Sequence, residues 1–390
     1  MDRRPFLIAG GGIAGLAAGL GLARTGRAAA IFEQAAAFET VGAGLQMSPN
    51  AVRALQWLGA WEAVEPHCVV PAEIHIRDGL GGGLLQRVRL GKPFEQRYGA
   101  PYRVAHRADL LGGLLAAARA APHIELINSM RAVRAVIPAE GAALEFADGR
   151  RRDGSAIVAA DGIHSTLRKE VAGDGSPRFR GHAIFRSLIP FEAVPTSVAA
   201  DTVTLWLYPG GHVVHYAVSA WTQFNIVAAV DSAWTAAGWS EPGKPDEVRL
   251  AFADAAGPLA DLLAVPKSWL KWAGADRPPA AHWTKGRIAL AGDAAHASLP
   301  YLAQGGAMAL EDACVLAKCV EETPDIAAAF SRYADMRRDR TARVQNESLR
   351  LGRLYHARGP ARLLRNLALM TVTAERFQRR NDWIYGWQPE

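Results

Sequence analysis

A glycine-rich turn near the N-terminus constrains the fold more than any other feature of this chain. It reads Gly10-Gly11-Gly12-Ile13-Ala14-Gly15, and it joins the apolar segment 6–9 to a helix-like segment, 13–24. In a GxGxxG turn the first glycine permits the tight bend, the second lets a pyrophosphate approach the backbone, and the third allows close helix packing. The turn therefore predicts a βαβ unit with a phosphate site at the N-terminus of its helix.

An acidic residue lies at the end of the second predicted strand, where a dinucleotide-binding βαβ unit has one. A second apolar run, 28–32, ends at Glu33, eighteen positions after Gly15. We expect Glu33 to accept hydrogen bonds from the ribose hydroxyls of an adenosine. Strand, turn, helix and carboxylate in register predict a dinucleotide site, but they do not separate FAD from NAD. The candidate residues in this part of the site are Gly10, Gly12, Ile13, Ala14, Gly15 and Glu33.

Composition excludes several classes of protein. Of the 390 residues, 50% are hydrophobic and 21% are charged, which is typical of a globular chain. We find no apolar run near the roughly 18 to 20 residues of a membrane span, and the first residues do not resemble a secretory signal. We therefore expect a cytoplasmic protein without a membrane span. Cys68, Cys314 and Cys319 form no CxxC pair, and no Cys/His cluster has metal-ligand spacing, so neither a disulfide framework nor a metal site is expected.

The net charge of +6 is concentrated near the C-terminus. Twelve arginines lie between Arg337 and Arg380, against three acidic residues. These arginines alternate with Leu, Val and Ala at helical spacing, which is typical of the solvated face of an amphipathic helix. We therefore expect a helical tail and no nucleic-acid partner, since no recognition motif accompanies the charge. A homodimer formed through this tail is one option for the assembly.

Two further motifs bring a family resemblance. They are Ala160-Asp161-Gly162-Ile163-His164-Ser165 and Ala291-Gly292-Asp293-Ala294-Ala295-His296, the second followed by Leu299-Pro300-Tyr301-Leu302-Ala303-Gln304-Gly305. They resemble the DG and GD motifs of the single-component FAD-dependent aromatic hydroxylases, which have the para-hydroxybenzoate hydroxylase fold. The resemblance extends over essentially the whole chain. Its salicylate and 6-hydroxynicotinate hydroxylase branch is indicated by Tyr102-Arg103, His106-Arg107-Ala108-Asp109-Leu110, Ala342-Arg343-Val344-Gln345, Tyr355-His356 and Asp382-Trp383.

The resemblance implies FAD as cofactor and assigns residues to it. Asp293 would hold the hydroxyls of the ribityl chain, and Arg107 would lie along the ribityl and phosphate region. Gly305 and Gly306 would open a helix whose N–H groups point at the flavin pyrimidine edge, where the helix dipole favours the anionic reduced flavin. Asp161 would support the pyrophosphate region and the nicotinamide encounter, although an Asp-Gly pair that only forms a turn is an alternative.

The substrate side is indicated by a strand that contains two histidines. In the segment 211–218, alternation places His212, Val214 and Tyr216 on one face and His215 on the other. The His212/Tyr216 pair is similar to a family pair that lies over the substrate, where imidazole could take or relay the proton of a phenol. The alternative is that both are ordinary polar residues of a half-buried strand. Pro300 and Tyr301 resemble the loop beside the reactive flavin carbon, with Pro300 as scaffold and Tyr301 as a substrate contact.

The fold class that we predict is α/β. It has a Rossmann-like FAD-binding domain containing the GxGxxG turn, an inserted mainly antiparallel β-sheet substrate domain, and a C-terminal helical region. The FAD-binding domain would be discontinuous, from residues 1–72, 98–176 and 276–330. Residues 73–97 and 177–275 would form the substrate-binding sheet domain, in which residues 73–89 form a hairpin. Residues 331–390 would form the helical region.

The resemblance implies a monooxygenase that uses NADH or NADPH and O₂. The substrate would be a small aromatic or heteroaromatic compound, of the salicylate or 6-hydroxynicotinate type, hydroxylated through a flavin C4a-hydroperoxide. Ala297, Ser187 and Met47 depart from the family pattern and weaken any transfer of substrate identity. A hydroxylase of a purine such as urate, an epoxidising relative and a flavin-bound protein without catalysis remain alternatives. An NAD-dependent dehydrogenase is disfavoured, because only the glycine turn supports it.

Overall fold

Two large β-sheets organise the chain. In the computed structural model, which describes residues 4–38, 43–138 and 140–389, one sheet has six strands and the other has eight. Sheets of three and two strands accompany them. The strands are β1 (Phe6–Ala9), β2 (Ala29–Phe32), β3 (Gly44–Met47), β4 (Glu73–Asp78), β5 (Leu84–Arg89), β6 (Arg103–His106), β7 (Ile124–Ile127), β8 (Ala132–Val136), β9 (Ala142–Phe146), β10 (Arg151–Gly154), β11 (Ala156–Ala159), β12 (Arg178–Pro190), β13 (Thr202–Tyr208), β14 (Gly211–Val218), β15 (Gln223–Asp231), β16 (Ser240–Gly243), β17 (Trp269–Asp276), β18 (Thr284–Lys285) and β19 (Ile288–Leu290).

The helices account for most of the remaining described chain. A short 3-10 helix, Pro300–Leu302, precedes the helix that begins at Gly305. The α-helices are α1 (Ile13–Arg24), α2 (Pro49–Trp57), α3 (Trp61–Val64), α4 (Lys92–Tyr98), α5 (Arg107–Ala120), α6 (Arg168–Ala172), α7 (Pro245–Ala251), α8 (Gly257–Ala264), α9 (Asp293–His296), α10 (Gly305–Glu322), α11 (Ile326–Tyr355), α12 (Gly359–Thr371), α13 (Ala374–Arg379) and α14 (Asp382–Tyr385).

The six-stranded sheet is the mainly parallel sheet that the glycine turn predicts. Its order is β18-β19-β11-β1-β2-β7, and every pair except β18 with β19 is parallel. The side chains of β1, β2 and β11 are all buried, which requires the short apolar runs seen in the sequence. Because β1, β11 and β19 are adjacent and parallel, the loops that follow them at Gly10, Ala160 and Ala291 emerge at the same edge of the sheet.

The eight-stranded sheet forms the second layer of the fold. Its order is β16-β17-β12-β15-β14-β13-β4-β5, and only β13 and β4 pair in parallel. The expected hairpin of residues 73–89 is present as β4 and β5 and forms one edge of this sheet. The loop after β19 thus follows a strand of the six-stranded sheet, whereas β14 belongs to the eight-stranded sheet.

The C-terminal residues are helical, as expected, and they pack on the eight-stranded sheet. Nε2 of Gln86 on β5 donates to the carbonyl oxygens of Leu369 and Val372, and Arg362 on α12 pairs with Asp78 on β4 at 2.6 Å. None of the helices among the described residues is both long and apolar enough to cross a membrane. The mixed α/β architecture and the inserted antiparallel sheet agree with the predicted fold class.

Candidate active site

Two of the three glycines of the GxGxxG turn after β1 are required by the fold itself. Gly10 has φ +108°, and a Cβ atom there would overlap the carbonyl oxygen of Ala160. A Cβ atom on Gly15 would overlap the carbonyl oxygen of Gly10. These contacts hold the turn against β11 and against α1, so Gly10 and Gly15 are needed whether or not a ligand is bound.

Gly12 differs from its neighbours, because the fold does not require it. It is the N-cap of α1 with φ −77° and ψ −171°, a conformation that any residue adopts, and a Cβ atom there would meet nothing within 4 Å. The open space lies directly at the N-terminus of α1, where free N–H groups and the helix dipole favour a phosphate. The open space at the N-terminus of α1 therefore fits the pyrophosphate of FAD.

Glu33 lies beside this turn and is held by backbone amides. Its Oε2 accepts from the N–H of Gly11 at 2.8 Å, and its Oε1 accepts from the N–H of Ala35 at 2.9 Å. Each carboxylate oxygen can accept a further hydrogen bond. The carboxylate is thus fixed next to the glycine turn, where its predicted contact with a ribose remains a proposal.

The loop after β19 meets the glycine turn. Gly292 has φ +59°, and a Cβ atom on it would lie 2.5 Å from Cβ of Ala14. Its N–H donates to Oδ2 of Asp312 on α10 at 2.9 Å. Asp293 follows at the start of α9 with an exposed side chain. The two loops expected to bind opposite ends of one flavin are therefore in direct contact.

A cavity of about 320 Å³ lies at this junction. The predicted site residues that line it are Gly12, Ile13, Ala14, Arg107, His212, Tyr216, Asp293, Pro300, Gly305 and Gly306. Those that do not line it are Gly10, Gly15, Glu33, Asp161 and Tyr301. A neighbouring cavity of about 790 Å³ shares His212 and Pro300 and adds Tyr301 together with residues of α11 to α14. Ten of the fifteen predicted positions thus share one cavity.

Asp161 has a local role that its sequence motif also allows. Its Oδ2 accepts from the N–H groups of Thr166 and Leu167 at 3.0 and 3.4 Å, which closes the loop after β11. Burial raises the pKa of this carboxyl group. Only its neighbours Ala160 and Gly162 line the cavity. These bonds support the turn-forming alternative, and a contact of Asp161 with a cofactor stays a prediction.

The strand β14 presents His212, Val214 and Tyr216 to the cavity, while His215 on the other face accepts from Nε1 of Trp206 at 2.9 Å. Burial lowers the pKa of His212 well below its ordinary value, and the nearby His356 and His182 lower it further against the opposing effect of Asp231. His212 is therefore uncharged at pH 7, and one of its ring nitrogens has a free lone pair. Burial raises the pKa of Tyr216, which keeps its hydroxyl protonated.

Tyr301 is buried between the eight-stranded sheet and α11. Its hydroxyl lies 2.9 Å from Nδ1 of His182, and its ring packs edge-on against His212 with 5.0 Å between ring centroids. Burial raises the pKa of this phenol. The Tyr301 hydroxyl is thus paired with His182, Tyr301 lines the larger cavity, and its contact with substrate stays a prediction.

Arg186 is a cavity residue that sequence reasoning missed as a site candidate. It lies on β12 and lines the smaller cavity together with Arg107. Its Nε is buried and has no hydrogen-bond partner among the described residues. Burial lowers the pKa of Arg186, with Tyr216 opposing and Arg107 adding to the effect. Two arginines and one acidic residue, Asp293, line the cavity, so its lining has a net positive formal charge and one unpaired donor. No local motif marks the residue, because only the pairing of β12 with β15 brings it here.

A buried ionic network, also missed, anchors the loop at Gly292. Besides binding Gly292, Asp312 contacts Nε2 of His296 at 2.6 Å and Nε of Arg337 at 2.8 Å. Arg337 also pairs with Glu311 at 2.7 Å, and Arg340 pairs with Glu311 at 2.7 Å. Because the partners lie on α9, α10 and α11, the network fixes the loop at Gly292 to these three helices.

Three histidines should make the fold less stable in mild acid. Burial lowers the pKa of His182 to about 4 and that of His215 to about 3, and it also lowers that of His212. In the unfolded chain they titrate near pH 6.5, so below that pH the unfolded chain binds more protons and the free energy of unfolding falls. Urea unfolding at about pH 5.5 should show a loss of roughly 1 kcal/mol per histidine relative to about pH 7.5. Equal stability at both pH values would contradict the assignment of neutral buried histidines.

Comparisons with known proteins show the family to which the chain belongs. Residues 3–347 match the family described as FAD binding domain. The chain belongs to this family. It is 37% identical over 385 residues to a 3-hydroxybenzoate 6-hydroxylase of Polaromonas naphthalenivorans, covering 98% of this chain and 96% of the relative. It is 31% identical over 353 residues to a 6-hydroxynicotinate 3-monooxygenase of Bordetella bronchiseptica, covering 89% and 91%.

Solved structures of the family superimpose over almost the full length. A salicylate hydroxylase in a substrate complex has a TM-score of 0.84 at 28% identity and covers 100% of this chain and 96% of that one. The HpxO protein of Klebsiella pneumoniae, in complex with FAD and uric acid, has a TM-score of 0.87 at 26% identity and covers 98% and 97%. The expectation of an FAD-dependent monooxygenase of the aromatic hydroxylase family is confirmed, and FAD is its cofactor.

Proposed function

We propose that this enzyme uses NAD(P)H and O₂ to hydroxylate a small aromatic carboxylate that already has a ring hydroxyl. The observation that carries the proposal is that one cavity joins the glycine turn and the Asp293 loop to His212 and Tyr216. Two relatives are named as enzymes that act on 3-hydroxybenzoate and 6-hydroxynicotinate, and these names support this substrate class. Gly12, Asp293, Arg107, Gly305 and Gly306 would hold the FAD, with oxygen transfer by the route that the family resemblance implies.

Bound FAD would supply the redox and oxygen-activating chemistry, and the protein would supply position, charge and a base. His212 would accept the proton of the ring hydroxyl, because it is neutral and lines the cavity. The resulting phenolate is more electron-rich at its ortho and para carbons than the phenol. Tyr216, whose hydroxyl stays protonated, would donate a hydrogen bond to the substrate. The surrounding apolar side chains would exclude water.

The charge of the cavity supports an anionic substrate. Arg107 and Arg186 line it, and Nε of Arg186 has no partner among the described residues. A buried guanidinium N–H without a partner is costly, so a bound carboxylate or an anionic flavin would be stabilised here. Urate is also an anion, and the structural similarity to HpxO in its uric acid complex keeps a purine as the second candidate.

A substrate panel tests the proposal. We expect 3-hydroxybenzoate, salicylate or 6-hydroxynicotinate to stimulate NADH or NADPH oxidation and oxygen uptake, with a product one oxygen atom heavier or one in which hydroxyl replaces carboxylate. Benzoate, which lacks the ring hydroxyl, is the matched control and should give no hydroxylated product. Turnover of urate alone would favour the purine alternative. If no compound stimulates oxygen uptake by the FAD-loaded protein, the alternative of flavin binding without catalysis stands instead.

A further inference from the structure

His212, His356 and Asp231 form a row of three side chains that extends from the cavity to the surface. Nδ1 of His212 lies 2.9 Å from Nε2 of His356, which follows the end of α11. Nδ1 of His356 lies 2.6 Å from Oδ1 of Asp231 at the end of β15. His212 and His356 are 4% and 6% exposed, whereas the side chain of Asp231 is 37% exposed. A continuous hydrogen-bonded path therefore connects the cavity with solvent.

The carboxylate at the outer end determines which nitrogen atoms carry protons. Burial opposes ionisation of Asp231, but hydrogen bonds from His356 and Arg358 lower the pKa of its carboxyl group below the ordinary value. An ionised carboxylate only accepts, so Nδ1 of His356 donates, and in the neutral imidazole the other nitrogen, Nε2, accepts. Nδ1 of His212 then donates to His356. Nε2 of His212 is consequently without a proton, and it makes no hydrogen bond within the described part of the chain.

We propose that His356 and Asp231 form a proton relay that sets the tautomer of His212 and carries the substrate's proton to solvent. The proposal rests on the proposed function, because it assigns His212 as the base. In the relay the O–H bond of the ring hydroxyl breaks and its proton binds Nε2 of His212. The Nδ1 proton of His212 passes to Nε2 of His356, and the Nδ1 proton of His356 passes to Asp231 and then to water. One proton leaves the substrate, one reaches the surface, and nothing is oxidised or reduced.

The groups that face the relay are consistent with proton transfer from His212 towards Asp231. Arg358 donates to Oδ2 of Asp231 at 2.8 Å and holds the carboxylate in its ionised form. His182 on β12 lies 3.6 Å from Oδ1 of Asp231, and burial lowers its pKa to about 4, so it adds no positive charge at neutral pH. The rings of Tyr301 and Tyr355 flank His212 and carry no charge at pH 7. Asp231 is therefore the terminal acceptor.

His182, Asp231 and His356 also lie close enough together to suggest a metal site. Hydrogen bonding explains them better, because both oxygens of Asp231 are already used by His356 and Arg358. The separation of 2.6 Å between Nδ1 of His356 and Oδ1 of Asp231 is that of a charge-assisted hydrogen bond. Two atoms that bind one zinc ion would lie farther apart, since each Zn–ligand bond is about 2 Å long and the ligands are tetrahedral.

Ionisation of bound substrate gives a readout that does not need turnover. The FAD-loaded oxidised enzyme is mixed anaerobically with the best substrate of the panel, and the phenolate absorbance is followed against pH. In the wild type the bound hydroxyl should ionise near neutral pH. His356→Gln and Asp231→Asn should raise this apparent pKa and lower kcat at least about 10-fold with little change in KM. The exposed His282→Gln is the matched control and should behave as wild type.

Each outcome decides the proposal. FAD content and far-UV circular dichroism establish whether the variants fold. In a separate rescue experiment, added imidazole should restore part of the activity of His356→Ala. If wild type ionises and hydroxylates the substrate and both variants keep its pH dependence and kcat, the relay is wrong. If the wild type ionises no panel compound, the proposed function fails first. Loss of wild-type activity in EDTA with recovery in Zn²⁺ would replace the relay with a metal site.

Discussion

His212→Asn should lower kcat for ring hydroxylation by about 10²- to 10⁴-fold, the range expected for loss of a general base. The reason is that His212 is a neutral imidazole lining the cavity, and no other base is positioned beside it on β14. FAD content should remain near one per chain, because His212 lies on the other sheet from the loops that would hold the pyrophosphate and ribityl chain. Product formation at saturating substrate and the flavin absorbance of the same sample measure both quantities.

His215→Asn is the matched control for this substitution. It changes the same residue type on the same strand, but on the face that contacts Trp206 rather than the cavity. We expect some loss of stability and an almost unchanged kcat per bound FAD. The rate of His212→Asn should also recover partly at high pH, where the substrate ionises in solution. A kcat for His212→Asn within about threefold of wild type would remove His212 from the role of base.

Arg337→Met should reduce the free energy of unfolding by about 3–5 kcal/mol, because it removes one partner from a buried ionic network. Arg337 is 1% exposed and contacts both Asp312 and Glu311, whose side chains are at most 1% exposed. Burial of these two carboxyl groups is offset by Arg337 and by their other partners, which hold their pKa values below the ordinary range. Asp312 also binds the N–H of Gly292, so weaker FAD binding should accompany the loss of stability.

The adjacent arginine offers a matched control. Arg338 pairs with Asp335 at 3.1 Å one turn along α11, and both side chains are exposed. Arg338→Met should therefore change the free energy of unfolding by less than about 1 kcal/mol. Urea unfolding of the two variants, monitored by tryptophan fluorescence, compares them directly. Equal effects of the two substitutions on the free energy of unfolding would contradict a stabilising role of the buried network.

Local patterns made much of this site predictable. The GxGxxG turn marked the end of β1, because a side chain at Gly10 or Gly15 would overlap a neighbouring carbonyl group. The period of two along β14 was enough to place His212 and Tyr216 on one face. The order of parallel strands then explains why loops that are far apart in sequence, at Gly10 and Gly292, meet.

Other parts of the site depend on contacts between distant segments and have no local signature. The contact of His212 with His356 joins residues 144 positions apart, and that of His356 with Asp231 joins residues 125 positions apart. Arg186 carries no motif, and only the pairing of β12 with β15 brings it to the cavity. The sequence predicts a ligand contact for Glu33 and for Asp161. It does not show that both carboxylates accept hydrogen bonds from backbone amides, because those bonds depend on how the loops fold.

We propose that the loops at Gly12 and Asp293 bind one FAD between them, and titration of the FAD-free protein with FAD is the most direct test. Gly91 is the matched control for Gly12, since it too is a helix N-cap with φ −78° and ψ −164° and space for a Cβ atom. Flavin fluorescence quenching should give one FAD per chain for wild type and for Gly91→Ala. Gly12→Ala and Asp293→Ala should keep wild-type stability but bind FAD at least about 10-fold more weakly. Unchanged FAD affinity in both of these variants, or no FAD binding by wild type, would contradict the account.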